Sequence, residues 1–406
     1  MQVQIQNSHY FPNIGGVQNI MARLAAELRT RRHGVEVLCQ AVPGEPVHGE
    51  WDGVPVIRHP YDPPAGRAWV LEPMLAPRAL RRHIPAYANG TEVFWSLDEP
   101  YAIGSAGAVP GVPVVYIAMH NQRRMLLHTR AVSSWRGRLA RRLQAVQWHR
   151  LQGSALRHAD QVVVWCEITK HDMAETFGVP RDRIRVVPLG PGPALPAPAE
   201  PPEVLRDRWG VPRGVPVILC VCRLDANKNV PHLVRALAQC RHRSAVLLVV
   251  GDGRQRPAIE VLAAELGVRD RVLLVGAHRN PAPFYALADL FAFPSVFEGF
   301  GMVLLEAMQW GLPCVALKAD FPRVITASEE VIEDGRTGFV VDPYSVPALA
   351  QRLDVLCGDP PLRRRMGEAG RERCARHFRW DAHVETLLDL SRALRGGAPS
   401  GGADAR

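Results

Sequence analysis

Short apolar runs rich in Val, Leu and Ile alternate along the chain with longer stretches whose apolar residues recur every three or four positions. The first kind reads as strands buried on both faces and the second as amphipathic helices, so the alternation predicts βα units around a parallel sheet. In the first half the predicted strands are 3–6, 35–39, 54–58, 93–95, 114–119 and 161–165, with a further candidate at 185–188. Between the first two, Val17, Ile20, Met21, Leu24 and Leu28 fall at i, i+3, i+4, i+7 and i+11, one face of a helix that packs on the sheet.

The pattern breaks at 190–202, GPGPALPAPAEPP, where proline permits neither a helix interior nor a central strand. It then restarts with strands at 217–222, 246–250, 272–275, 290–293, 314–317 and 339–341. This predicts a first α/β domain over 1–190, a linker at 191–202 and a second α/β domain over 203–376. A final helix at 377–395 and a disordered Gly/Ala/Ser-rich tail at 396–406 complete the expectation. A chain of 406 residues suits two such cores.

Composition narrows the reading. No apolar run reaches the roughly 18–20 residues of a membrane span, and the N-terminus enters a strand pattern without a signal-like segment, which predicts a cytoplasmic protein. The eight cysteines form no C-x-x-C pair and read as reduced core thiols. Of the 49 basic residues only Lys170, Lys228 and Lys318 are lysines, a bias that looks like high-GC coding, as in bacteria. The net charge of +9 is spread along the chain, without the clustered basic and aromatic surface of a nucleic-acid binder. One stretch, 136–158, punctuates a helical pattern with Arg136, Arg138, Arg141, Arg142, Arg150 and Arg157. It reads as a solvated helix face or as a peripheral contact with the inner membrane.

The strongest chemical signal is 294–315, PSVFEGFGMVLLEAMQWGLPCV. Here a strand runs through a glycine turn into a helix, with Glu298 before the helix and Glu306 in its second turn. Backbone N–H groups of Phe300, Gly301, Met302 and Val303 are then free to meet an anion such as a diphosphate. Spacing alone also fits a capping acid followed by an unrelated second glutamate.

This segment resembles the signature of glycosyltransferase family 4, and the resemblance extends over nearly the whole chain. It implies an α/β architecture of the GT-B type, two Rossmann-like domains whose parallel sheets face a central cleft, and retention of anomeric configuration. The stretch 221–238, VCRLDANKNVPHLVRALA, resembles the family's block in which an arginine and a lysine five residues apart neutralise the donor diphosphate; Arg223 and Lys228 hold those places. Cys222 and Asn229 stand where the family usually has glycine. Gly15 and Gly16 fit an ordinary turn as well as a loop facing phosphates, and the resemblance implies the second. His120, at the end of VPVVYIAMH, resembles a histidine that contacts the donor sugar, and Ser295 is a further donor-contact candidate.

The resemblance thus implies a retaining hexosyltransferase using a nucleotide diphosphate-sugar, UDP-sugar first, with Arg223, Lys228, Glu298 and His120 at the reacting centre. Gly15, Gly16, Ser295, Phe300, Gly301, Met302, Val303 and Glu306 would bind the donor. No D-x-D or metal-ligand spacing occurs, so no metal and no cofactor are expected. The acceptor, a natural product, lipid or glycan, would sit among first-domain loops carrying Tyr61, Trp69, Asp98, Glu99 and Tyr101. A catalytically silent nucleotide-sugar-binding protein, or a phosphorylase or epimerase of the same fold, stands as the alternative. The sequence sets no oligomeric state.

Overall fold

The architecture is that of a computed structural model, which describes residues 1–12, 16–60, 72–129, 135–192, 198 and 200–396. Gly15, Tyr61, Trp69, residues 193–197 and 199 of the proline-rich segment and the tail beyond Gly396 lie outside the described residues.

The first half contains β1 (Gln2–Gln6), α1 (Gly16–Thr30), β2 (Gly34–Gln40), β3 (His48–Trp51), β4 (Val54–His59) and α2 (Glu72–Tyr87). It continues through β5 (Val93–Ser96), α3 (Glu99–Ser105), β6 (Val114–Ile117), α4 (Gln122–Thr129), α5 (Trp135–His158), β7 (Gln161–Val164), α6 (Glu167–Phe177) and β8 (Ile184–Val186). The eight strands form one sheet in the order β3-β4-β2-β1-β5-β6-β7-β8. Every pairing is parallel except β3 with β4.

Strand β3, HGEW, is the element that hydrophobic patterning does not reveal, because it is a largely exposed edge with no apolar alternation. Its signal was the Asp52–Gly53 turn, whose φ values of 52° and 74° are those of a tight two-residue hairpin. Strand β6 also stops at Ile117, so His120 sits three residues past the strand rather than at its end.

After α7 (Pro202–Trp209), which uses Pro202 at its first turn, come β9 (Val217–Val221), α8 (Val230–Gln239), β10 (Val246–Val250), α9 (Arg256–Glu265), β11 (Val272–Gly276) and α10 (Ala282–Leu287). β12 (Leu290–Phe293), α11 (Met302–Gln309), β13 (Cys314–Leu317), α12 (Ser328–Val331), β14 (Gly338–Val341), α13 (Val346–Gly358), α14 (Pro360–His377) and α15 (Trp380–Gly396) follow. These six strands pair in parallel in the order β11-β10-β9-β12-β13-β14. Strand β10, VLLVV, is buried at all its positions, as a strand covered on both faces must be.

Strand order reverses between β1 and β5 in one sheet and between β9 and β12 in the other. Loops leaving the carboxyl ends of these neighbours diverge to opposite faces and open a crevice, the usual ligand position of open α/β sheets.

The chain end ties the halves together. Phe378 and Arg379 separate α14 from α15, so the last helix begins at Trp380 and runs through Gly396. Its buried face, Trp380, His383, Val384, Leu387, Leu388 and Ser391, follows helical spacing. Ser391 Oγ accepts from Trp95 Nε1 of β5 at 3.0 Å, and the His383 ring bonds the Pro188 carbonyl at 3.0 Å. An α-helix that follows the second sheet therefore lies on the first.

Candidate functional site

At the second reversal point two loops are stitched into one surface. The chain leaving β9 is held by Leu224 N donating to Asp252 O and Gln255 N to Leu224 O, at 2.9 and 2.8 Å. That approach requires glycine at 251: its φ is 137°, and a Cβ there would stand 1.8 Å from the Cys222 carbonyl oxygen. The loop leaving β12 is pinned to the first by Val296 N to Asn227 O at 2.8 Å and by Asn227 Nδ2 to Phe297 O at 3.1 Å. Ser295 Oγ bonds the carbonyls of Asn227 and Phe297, both at 3.2 Å, and reaches Glu298 Oε2 at 3.4 Å. Ser295 is buried, and its hydroxyl shapes this loop from inside while touching the Glu298 carboxylate.

The result is an ion pair between Lys228 Nζ and Glu298 Oε2, with the ammonium 5.3 Å from the Phe293 ring centre. Gly301, at φ 84°, then turns the chain into α11, whose first N–H groups are left without helical partners. The Phe300 ring packs inward on Phe378, with centres 5.9 Å apart, so Phe300 can offer a ligand only its backbone. Met302 and Val303 are half-buried against the core. In the second turn Glu306 Oε2 accepts from Tyr285 OH at 2.9 Å, and a Cβ on Gly192 would lie 3.1 Å from Glu306 Oε1. Burial raises the Glu306 pKa, and the tyrosine hydroxyl opposes that shift.

The first domain closes over this surface. A Cβ on Gly299 would meet the Met119 carbonyl oxygen at 2.4 Å and His120 Cβ at 3.6 Å. The Gly299 carbonyl accepts from Cys166 Sγ at 3.0 Å and Thr169 Oγ1 at 3.2 Å. Glu330 receives the N–H groups of Glu167 and Ile168 at the start of α6, at 2.8 and 3.1 Å. His120 therefore sits beside Glu298 and Lys228. Its pKa is pushed down to about 4, chiefly by burial and further by Lys228 and Arg223, against the pull of Glu298.

The Arg223 side chain is 70% exposed and pairs with Asp225 at 3.5 Å, near enough to His120 for its charge to lower that ring's pKa. Gly16 is the exposed first residue of α1. Sequence reasoning missed Asn227, Tyr285, Thr169 and Glu330, because their work is contact with distant loops and none carries a local spacing signal.

At the first reversal point a cavity of about 380 Å³ opens between Ser8, His9, Gln18, Asp98, Glu99 and Trp148, among others. Asp98 caps α3 by accepting from Tyr101 N at 3.2 Å and also takes Ser8 N and Oγ, both at 2.5 Å. Burial, and then the Asp98 charge, push Glu99 up to about 7, while Tyr116 OH donates to it at 2.9 Å. Tyr101, expected among the acceptor loops, is instead buried, with its hydroxyl 2.5 Å from His59 Nε2. A larger cavity, about 800 Å³, lies beside Gly192, Trp310 and Trp380, and none of Lys228, Glu298 or His120 lines it.

Residues 14–191 match the family described as Glycosyltransferase Family 4, and residues 203–373 match Glycosyl transferases group 1. The chain belongs to glycosyltransferase family 4. It is 28% identical over 346 residues to the alpha-D-kanosaminyltransferase of Streptomyces kanamyceticus, covering 80% of this chain and 81% of that one. It is 28% identical over 406 residues to a GDP-mannose-dependent alpha-(1-6)-phosphatidylinositol monomannoside mannosyltransferase of Mycolicibacterium smegmatis, with 95% and 96% covered. Sucrose-phosphate synthase from Thermosynechococcus elongatus superposes with a TM-score of 0.76 at 23% identity, over 97% of this chain and 99% of that one. This family 4 member is a glycosyltransferase with the GT-B fold.

Two outcomes follow from the closed geometry. Gly299→Ala places a methyl against the Met119 backbone, so closure should be opposed while each domain stays folded. The expected signature is a wider particle by small-angle scattering and a loss of about tenfold or more in kcat/KM, equivalent to ~1.4 kcal/mol. An unchanged particle with full turnover would contradict the tight approach. The His120 ring should titrate near 4 rather than 6.5 when followed by NMR against a His120→Asn control. Because its folded value lies below its unfolded one, this histidine withdraws stability as pH falls from 6.5 towards 4 and has no such effect above that window.

Proposed function

We propose that the protein transfers a hexosyl group from a nucleoside diphosphate-sugar, a UDP-sugar first, to a hydroxyl of its acceptor with retention at the anomeric carbon and without a metal ion. The observation that carries the reading is the Lys228–Glu298 pair at the β9/β12 reversal point, with His120 of the other domain beside it. An Anabaena structural neighbour, HepE, was solved with UDP-glucose, which supports the nucleotide choice. One relative's name gives a kanosaminyl group as what it transfers and another's gives a phosphatidylinositol monomannoside, and the acceptor here belongs to a natural-product, lipid or glycan class.

In this reading the bond between the anomeric carbon and the diphosphate oxygen breaks first, and its electron pair goes to that oxygen. The acceptor hydroxyl attacks the carbon from the same face, and its proton passes to the departing phosphate oxygen, so no separate protein base is needed. Lys228 turns from Glu298 to the diphosphate, Arg223 swings in from its exposed position, and the α11 N-terminus adds its partial positive charge. Glu298 orients sugar hydroxyls. Glu306, steadied by Tyr285, takes the ribose hydroxyls, and neutral His120 offers a hydrogen bond to the sugar. Gly16, the first residue of α1, approaches the phosphates from the first domain. Positioning and charge stabilisation together supply on the order of 10 kcal/mol, and closure excludes the water that would waste the donor.

Thermal unfolding in the presence of UDP-, GDP-, dTDP- and ADP-sugars tests the donor site. One nucleotide should raise the midpoint by several degrees at millimolar concentration, Lys228→Ala should abolish the rise, and the product made from that donor should keep its anomeric configuration by NMR. If no nucleotide sugar moved the midpoint, the donor assignment would fail, and with it the transfer mechanism.

A further inference from the structure

The hairpin of α4 and α5 carries a surface that sugar transfer does not use. Along α5, Trp135, Leu139, Leu143 and Val146 are 64%, 52%, 52% and 51% exposed. At about 100° per residue they fall within an arc of roughly 80° and extend for about 16 Å along the helix. Buried Ala145, Leu151, Gln152 and Ala155 lie about 120° or more round the helix from the centre of that arc, while in the last turns of α5 Gly153 is buried within it. Among the described residues the other exposed large apolar side chains are scattered over other elements.

Charge, expected from composition to be spread along the chain, is concentrated here instead. Between residues 100 and 159 the chain has nine arginines and no aspartate or glutamate, a formal +9 that equals the net charge of the whole protein. Arg124 is neutralised from outside by Asp172 at 2.6 Å. Arg136 flanks one edge of the apolar stripe, its guanidinium 5.4 Å from the Trp135 ring, and exposed Arg138 and Arg142 flank the other.

We propose that this face docks the enzyme onto an anionic lipid surface, with α5 lying in the plane of the interface. An apolar stripe with a terminal tryptophan and arginine edges matches the layered chemistry of headgroups over acyl chains. Among the described residues no helix is long and apolar enough to cross a membrane, so the contact is peripheral. A second copy of the chain does not suit the face, because a two-fold contact would bring the arginines of both copies together. A polyanion such as RNA would engage the arginines but leave Leu139, Leu143 and Val146 without a role. Further along α5 and on its other side, Trp148 and Leu151 line the 380 Å³ cavity, so the same helix bears the docking stripe and one wall of that cavity.

Vesicle flotation reads docking without turnover, and so separates this inference from the donor reading. The full chain should float with phosphatidylcholine vesicles containing phosphatidylglycerol, fail to float with phosphatidylcholine alone, and be released by added salt. Replacing Arg136 and Arg142 by glutamine should lower the partition by about fivefold per arginine. Leu139→Ser with Leu143→Ser should lower it about tenfold or more. Both variants should keep the nucleotide-sugar thermal shift of the wild type, which shows that they fold. Equal flotation on neutral and anionic vesicles, or unaltered partition of both variants, would overturn the proposal. So would a dimer in solution that the leucine pair dissolves, since a second copy would then cover the face.

Discussion

Lys228 and Glu298 come from loops 70 residues apart and meet where strand order in the second sheet reverses. Two opposite charges at such a point are held by the backbone beneath them. Asn227 and Ser295 spend their buried polar groups pinning the two loops together, and Gly251 lets a third loop come within contact of the first. Without that scaffold a lysine on a four-carbon stem would sample many positions; with it the ammonium has one short path between a carboxylate and an incoming anion. The architecture thus places the cation at the floor of the cleft and leaves the α11 N-terminus beside it.

The cleft has a second wall, and closure sets the electrostatics of the site. The absence of a side chain at Gly299 allows the Met119–His120 segment to rest on the signature loop. His120 loses water in that contact, and burial keeps its ring neutral at physiological pH. Charge at the site is therefore carried by lysine, arginine and glutamate, while the histidine contributes a hydrogen bond. Helix α15 supplies the restoring connection: it follows the second domain in sequence, yet Trp95 and the Pro188 carbonyl of the first domain hold it. The two crossings between the domains lie together, for a Cβ on Gly190 would stand 2.7 Å from Trp380 N, and Gly192 abuts Glu306.

Much of this was legible in the sequence because buried parallel strands announce themselves as apolar runs. All six strands of the second sheet are apolar runs, with only the edge strand β11 largely half-buried, and the glycine turn with its two glutamates lies between two of them. What sequence could not show was anything decided by long-range contact. Strand β3 has no apolar pattern and is specified by the Asp52–Gly53 turn. Ser295 sits in the signature with its hydroxyl buried among backbone carbonyls, Tyr101 of α3 is buried against His59, and Arg223 rests on Asp225. Thr169 and Glu330 carry no motif; they matter because the domains meet at Gly299 and at the start of α6. In α5 the arginines were visible from the sequence, but only the packing reveals which side of the helix is exposed.

The central claim is that Lys228, released from Glu298, holds the donor diphosphate. Titration calorimetry with a nucleoside diphosphate and the matching monophosphate, on wild type and on Lys228→Met, addresses it most directly. The account predicts that the diphosphate binds about tenfold or more tightly than the monophosphate to wild type, ~1.4 kcal/mol, and that the variant loses most of this advantage. If Lys228→Met kept the full preference for the diphosphate, the second phosphate would be held elsewhere and the account of the site would be wrong.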